Sequence, residues 1–337
     1  MDERDAAAEA ERSRAQIEAG GLPVAAERRL RELAKSPGGL FTSDLSVNEF
    51  ALLRRLGITP LTQVMGSSIF QHGWQNLPYD NWYGYRSNSS ASGFFSGGGV
   101  GRNWGSSGDG RAWTRELSSL SAAFNGARER ALDRLLAEAR LAGADAVVGV
   151  RVQQGGHAFL ERDTVEFTAV GTAVRVSERL RTGGVVITDL SAQEYVQLAA
   201  EGYRPVGVVG TTVVMYTASS YSQSIVLGSG NSFFSVAGRA NQELRDFTQG
   251  FYEARETAVL HLSRQAQELG AHGVIGVQFA EHIGEREYDD ANENKHHDLI
   301  VTIHVLGTAI TEGHPPVERP PIATILPLRR LKEPHAR

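Results

Sequence analysis

The sequence predicts an α+β fold in which one unit occurs twice in tandem, each copy a long helix packed on a small, mostly antiparallel β-sheet. Three blocks of sequence recur in the same order, which indicates a duplication. One segment of each copy carries apolar residues at helical spacing, and runs of β-branched residues follow it. A helix and a sheet each have an apolar face to cover, so the two are expected to pack together as layers.

A helical arm precedes the duplicated part, over residues 1–36. Alanine-rich sequence of mixed charge predicts one helix from about Arg4 to Glu18 and a second from Val24 to Lys35, separated by two glycines and a proline. Two interpretations remain open. The arm is either solvated and held by intrahelical ion pairs, or it binds a protein partner or takes part in assembly.

Each copy begins with a helix start signal of the S-x-x-E type. Ser46 and Glu49 form this pattern in the first copy, and Ser191 and Glu194 form it in the second. In such a capping box, the two side chains bond backbone N–H groups that the first helical turn leaves unpaired. Each short helix should end at a glycine and lead into an apolar strand. The glycines are Gly57 and Gly202, and the strands are Leu61–Met65 and Val206–Val209.

A long helix is the best-defined element of each copy. Its apolar residues recur every three or four positions, and a glycine follows where a left-handed C-cap is expected, Gly143 in one copy and Gly270 in the other. Two strands complete each unit. The helix positions are Ala127, Ala131, Leu135, Ala139 and Ala142, then Ala254, Ala258, Leu262, Ala266 and Leu269; the strands are Val147–Val152 and Val165–Val174, then Val274–Phe279 and Leu299–Ile310.

These segments resemble the YbjQ-like family. The resemblance lies in A-R-E-x-A of the long helix, in G-A-D-A-V-V-G-V from Gly143 to Val150, and in V-G-T-A-V from Val170 to Val174. It implies one helix on a β-sheet per unit, homo-oligomers in the form of pentamer-type rings, and heavy-metal binding. It divides the chain into YbjQ-like domains at 37–180 and 181–313 and a proline-rich extension at 314–337.

An insertion at 71–113 in the first copy holds all four tryptophans of the chain among many Gly, Ser and Asn residues. The second copy has a shorter counterpart before its long helix. Aromatic side chains supply large contact areas, so the insertions either pack between subunits or form a satellite core within one chain. The candidate interface residues are Trp74, Trp82, Phe94, Phe95, Trp104, Phe233 and Phe234.

The composition narrows the range of functions. The 337 residues include no cysteine, which excludes disulfides, thiolate nucleophiles and thiolate metal ligands. The net charge of −5 argues against a nucleic-acid partner, and no apolar run approaches the ~18 residues of a membrane-spanning helix. The polar N-terminus lacks the pattern of a secretory signal, so we expect a cytoplasmic protein. Signatures of phosphate-binding loops, serine hydrolases and zinc proteases are missing from the sequence, so we expect no enzyme.

Histidines are concentrated near the end of the second copy. His282, His296 and His297 flank a loop rich in Asp and Glu, and a hairpin is expected to bring His282 close to His296 or His297. Imidazole and carboxylate ligands suit Zn, Ni or Cu. The competing interpretation is an acidic, solvated hairpin loop. We therefore expect a non-enzymatic, ring-forming scaffold of tandem YbjQ-like domains, with a metal-binding protein as the alternative.

Overall fold

The computed structural model describes residues 3–35, 41–71, 113–155, 164–220, 241–289 and 295–313. The N-terminal arm consists of α1 (Glu3–Glu18) and α2 (Val24–Lys35). Leu22 and Leu30 of the arm are buried against Ala142, at the end of the first long helix, so the arm is packed onto the first unit.

Both units contain a short helix, a strand, a long helix and two further strands in this order. The first unit contains α3 (Val47–Arg55), β1 (Thr59–Gln71), β2 (Trp113–Glu116), α4 (Ser118–Leu141), β3 (Ala146–Gly155) and β4 (Thr164–Arg175). A 3-10 turn at Glu178–Leu180 leads to the second unit, which contains β5 (Val186–Ile187), α5 (Ala192–Ala200), β6 (Tyr203–Ala218), α6 (Arg245–Glu268), β7 (Gly273–Asp289) and β8 (Lys295–Glu312). In the part of the chain that the structure describes, β2 is a strand of the first unit alone and β5 is a strand of the second unit alone. Within the described residues, this arrangement confirms the predicted α+β fold of two tandem units.

Both short helices begin with the predicted capping box. The N–H of Glu49 donates to Ser46 Oγ at 3.3 Å, and the Glu49 carboxylate accepts from the N–H of Ser46 at 2.8 Å. Ser191 and Glu194 repeat this arrangement at the start of α5. These reciprocal bonds satisfy donors that the helix itself leaves free.

The strands form two four-stranded sheets, each built from three strands of one unit and one strand of the other. Sheet A has the strand order β1-β4-β3-β5, and sheet B has the order β2-β6-β8-β7. All neighbouring strands are antiparallel except β3 and β5, which are parallel. The pairing registers are duplicated as well. Pro60 pairs with Val174 and Pro205 pairs with Ile310, and each proline is followed by a break in register.

A long helix covers one face of each sheet. Small side chains allow close approach: Ala127 and Ala131 of α4 are fully buried on sheet A, and Ala254 and Ala258 of α6 are fully buried on sheet B. The contact between α4 and β1 is tight, since a Cβ atom on Gly66 would lie 2.0 Å from the carbonyl oxygen of Ala131.

The two units exchange strands across a boundary that we call the junction. The first unit supplies β2, which adds to the outer edge of β6 in sheet B, and the second unit supplies β5, which adds to the outer edge of β3 in sheet A. Helix α4 takes part in both units, because it covers sheet A and also bonds the edge of β6.

Candidate assembly interface

The centre of the junction is a set of hydrogen bonds between α4 and the edge of β6. Asn125 donates from Nδ2 to the carbonyl oxygen of Thr212 at 3.0 Å and accepts from the Thr212 N–H at Oδ1 at 2.8 Å. One turn earlier, Ser121 Oγ accepts from the N–H of Val214 at 3.0 Å. Side chains of the helix thus replace the neighbouring strand that this part of β6 lacks.

Arg128 is a buried cation at the same boundary. Its guanidinium donates to Asn125 Oδ1 at 2.8 Å, to Thr212 Oγ1 at 3.2 Å and to the carbonyl oxygen of Gly210. Burial lowers the pKa of Arg128 to about 10, with Glu129 acting in the opposite direction, so the side chain stays charged at pH 7. A buried charge needs such hydrogen bonds to offset the loss of water.

His304 of β8 completes the cluster from the side of sheet B. Its Nδ1 lies 2.9 Å from Thr212 Oγ1, and its ring packs against Phe124 of α4 and Phe167 of β4, with centroids 5.5 and 6.4 Å away. Burial, with smaller contributions from the nearby charges of Arg128 and His282, lowers the pKa of His304 to about 4. The ring is therefore neutral at pH 7, and it joins the two sheets through apolar contact.

The other half of the junction is formed by β5 and by the start of α5, both in the second unit. Along β5 and the residues after it, the Thr188 N–H donates to the carbonyl oxygen of Val147, and the Val150 N–H donates to the carbonyl oxygen of Thr188, each at 3.0 Å. The capping carboxylate of α3 has a second role here, because Glu49 Oε1 accepts from the N–H of Ala192 at 3.2 Å. The start of α5 is thereby tied to the start of α3.

Large apolar side chains are exposed on several elements outside the junction. They lie on α1, on and before α3, on β1 of sheet A, on α6 and its C-cap, and on β7. In addition, β7 is an edge strand of sheet B, paired with β8 on one side. The exposed residues are Ile17, Phe41, Val47, Met65, Ile69, Tyr252, Leu260, Leu269, Val277, Phe279 and Ile283.

The predicted metal residues do not come together as expected. In the β7–β8 register, His282 pairs with Thr302 while His297 pairs with Glu287. Five residues of β8 separate these two positions, about 17 Å at ~3.3 Å per residue. His296 lies one step further away, opposite Tyr288. The hairpin forms, but its register places His282 well down the ladder from the other two histidines.

One of these histidines does contact a carboxylate. His297 Nδ1 lies 2.5 Å from Glu285 Oε1. Within the described residues there is no group of three or more His, Cys, Asp or Glu side chains arranged to hold a metal ion. The helices of the described part of the chain include none that is long and apolar enough to cross a membrane.

The aromatic residues of the two insertions lie outside the described residues, so their predicted interface role stays a prediction. These residues are Trp74, Trp82, Phe94, Phe95, Trp104, Phe233 and Phe234. The proline-rich extension at 314–337 lies outside the described residues too.

A family comparison matches both units. The profile of the YbjQ family, described as "Putative heavy-metal-binding", matches residues 112–177 and 199–312, together more than half of the chain. The chain belongs to the YbjQ-like family. The resemblance found in the repeated motifs is thereby confirmed, and so is the tandem arrangement of two YbjQ-like units.

The chain is also similar to a protein of comparable length. The encapsulin nanocompartment protein Rv1762c of Mycobacterium tuberculosis is 35% identical over 264 residues, which cover 77% of this chain and 82% of the relative. No solved structure matches the chain significantly.

Sequence reasoning missed the roles of Arg128 and His304 at the junction. Arg128 lies in the A-R-E-x-A motif and Arg255 occupies the same place in the second copy, so the repeat itself carried a signal. The motif does not tell which of the two is buried, because burial of Arg128 depends on β6 of the other unit. His304 has no histidine counterpart in the first YbjQ-like unit, and only its contacts across the junction mark it.

Proposed function

We propose that this YbjQ-like protein is a non-enzymatic building block of a homo-oligomeric, ring-forming assembly that acts as a scaffold for partners. The observation that carries the proposal is the set of exposed apolar side chains on α3, sheet A, α6 and β7, combined with the edge strand β7. Monomeric proteins rarely leave extended apolar edge strands uncovered, because these pair with other chains. Covering them with further copies removes this liability.

The relative supports an assembly role at larger scale. Rv1762c is described as an encapsulin nanocompartment protein, and the alignment with it spans most of both chains. We infer that this chain too works as part of a protein compartment or of a structure that belongs to one. In this scheme the N-terminal arm, which is packed on the first unit through Leu22 and Leu30, presents α1 to a partner.

Sedimentation velocity combined with negative-stain electron microscopy tests the assembly role. We expect a single large species at micromolar concentration and closed rings in the images. A species with the mass of one 36.5 kDa chain over the whole concentration range would contradict the proposal.

Metal binding is the second candidate function, and the contact between His297 and Glu285 favours it, as does the family description. A carboxylate beside an imidazole is a suitable start for a Zn, Ni or Cu site. His296 adjoins this pair in sequence, whereas His282 is remote from it along the hairpin. A metal held there would bridge the two strands close to the hairpin loop.

Calorimetric titration with Zn, Ni and Cu tests this candidate. We expect stoichiometric binding at micromolar concentration that is lost when His282, His296 and His297 are replaced together by Ala. The His282→Ala variant alone should retain most of the binding, since this residue is far from the pair. His261→Ala, which removes a histidine from α6, is the matched control. Absence of binding by the unaltered protein would refute the metal role.

A further inference from the structure

We propose that the junction inside one chain is repeated between chains, so that the second unit of one copy docks on the first unit of the next, head to tail. The inference rests on the proposed homo-oligomeric function and identifies its contact surfaces. The chain shows one such contact already made, between its own two units. The same surfaces recur at the two ends of the pair, where no other unit of the chain covers them.

The duplication makes the two units comparable residue by residue. The breaks in register at Pro60 and Pro205 coincide, and the N-caps Leu117 and Leu244 begin helices of 24 residues each. The junction residues on the helices and strands that both units share therefore have counterparts at the same positions of the fold in the other unit.

The sheet side of the junction has an exposed counterpart on sheet A. Val214, which contacts the start of α4, is 0% exposed, whereas its counterpart Ile69 is 56% exposed. Met65, the counterpart of Gly210, is exposed on the same strand. An apolar side chain that is buried at the junction in one unit and exposed at the equivalent position of the other unit indicates a surface that binds the same kind of neighbour.

The helix side has an exposed counterpart on α6. Asn125 of α4 bonds the backbone of Thr212, and its counterpart Tyr252 is 57% exposed. In a repeated junction, Tyr252 of one copy meets the edge of β1 in the next, at Ser67, the counterpart of Thr212. Arg134 of the same chain already donates to the Ser67 carbonyl oxygen at 2.6 Å, and the second lone pair of that oxygen remains for the tyrosine hydroxyl.

The strand side repeats in the same way. The segment that contains β5 adds to β3, and the buried core under it includes Val150, which is 2% exposed. Its counterpart on β7, Val277, is 39% exposed. The segment equivalent to β5 in the first unit starts at Phe41, whose side chain is exposed. The edge of β7 and this segment are thus complementary surfaces on two copies.

The segment that starts at Phe41 is already fixed in the position that pairing with β7 of another copy requires. In the second unit, the N–H of Asp189 donates to Thr308 Oγ1 at 3.1 Å. In the first unit, the N–H of Asp44 donates to Thr172 Oγ1 at 3.2 Å. Both segments are therefore fixed to their own sheets by the same bond, and one of them also pairs with a neighbouring unit.

The capping carboxylates give the most specific prediction. Glu49 bonds the N–H of Ala192, a residue that is 0% exposed. The counterpart of Glu49 is Glu194, and the counterpart of Ala192 is Val47, which is 84% exposed at the start of α3. Glu194 of one copy would accept from the N–H of Val47 in the next. The start of α3 would then be buried as the start of α5 is.

A repeated junction is heterologous, since it joins two different surfaces. Such contacts propagate until a ring closes or a filament forms. Because every copy adds two units, a closed ring of whole chains contains an even number of units. A ring of five single units is therefore excluded for this chain, whereas five whole chains would give ten units.

Two variants, each blocked on one surface, test the proposal. Ile69→Asp places a charge on sheet A, and Tyr252→Asp places one on α6; a carboxylate cannot be buried there without a partner. We expect each variant alone to have the mass of one chain, and an equimolar mixture to give a dimer of one copy of each through the two intact surfaces. Gln267→Asp, at an exposed position of α6 whose counterpart Arg140 is also exposed, is the matched control and should keep the wild-type mass.

The outcomes separate this inference from the proposed function. If both blocked variants keep the wild-type mass, the protein assembles through other surfaces and the repeated junction is refuted while the oligomer stands. If the wild type itself has the mass of one chain, both are refuted. Circular dichroism checks that the variants fold, and Val47→Asp with Val277→Asp provides a second pair on the strand side. The same dimer from this mixture supports the inference, and an unchanged oligomer overturns it.

Discussion

His304 is expected to make the protein less stable as the pH falls from 7 to 5. Its ring is buried between Phe124 and Phe167, and burial lowers its pKa from the ordinary 6.5 to about 4. In the unfolded chain the ring takes up a proton near pH 6.5, whereas in the folded protein it resists protonation until about pH 4. Stability from this group is therefore present above pH 6.5 and is lost as the pH falls toward 4.

The expected change in the free energy of unfolding follows from the size of the pKa shift of His304. A pKa difference of this kind corresponds to about 3 kcal/mol in full, at ~1.4 kcal/mol for each pH unit. Between pH 7 and pH 5, about 2 kcal/mol of this is lost, because the unfolded ring is almost fully protonated at pH 5 and the folded ring is not. This loss of stability arises at the junction, where Thr212 is the hydrogen-bonding partner of the ring.

Urea unfolding at fixed protein concentration measures the effect. His304→Asn keeps a polar atom near the position of Nδ1 but does not titrate, so its free energy of unfolding should fall about 2 kcal/mol less than that of the wild type between pH 7 and pH 5. His261→Asn retains His304 and should behave as the wild type does. If wild type and His304→Asn lose stability equally over this range, burial does not hold the ring neutral and the reasoning is wrong.

Two further predictions concern the packing of α4. Gly66→Ala would put a Cβ atom 2.0 Å from the Ala131 carbonyl oxygen, so we expect α4 to shift and the free energy of unfolding to fall by about 3 kcal/mol; Gly184→Ala, where nothing lies within 4 Å, should change it by less than ~1 kcal/mol. Equal effects of the two changes would contradict the tight helix–strand contact. Arg128→Met should cost about 1–3 kcal/mol, because the Gly210 carbonyl oxygen loses its donor in a buried place. An unchanged free energy of unfolding in Arg128→Met would show that water or another donor reaches that oxygen. Thermal or urea unfolding measures both.

Local elements were predictable from sequence because their signals are local. The capping boxes at Ser46 and Ser191 depend on residues three positions apart, and the long helices depend on apolar spacing within 24 residues. The duplication then fixed the order of elements in the second unit from the first. None of these inferences needed knowledge of how the two units touch.

The junction was not predictable because its residues gain their roles from the other unit. Ile69 and Val214 are both apolar residues on equivalent strands, yet one is exposed and the other buried. Likewise, the exchange of β2 and β5 depends on which sheet edges lie within reach. The separation of His282 from His297 depends on the hairpin register, and a shift in register is invisible in a sequence whose strands alternate weakly around the loop.

Cross-linking between copies tests the central claim most directly. The chain contains no cysteine, so the double variant Ser67→Cys, Tyr252→Cys carries thiols only at the two surfaces that a repeated junction brings together. A short bismaleimide should join these chains into a covalent ladder of multiples of 36.5 kDa, while Ser67→Cys, Gln267→Cys should remain single chains. A product of single chains from the first variant, under conditions where the protein is oligomeric, would contradict head-to-tail assembly through these surfaces.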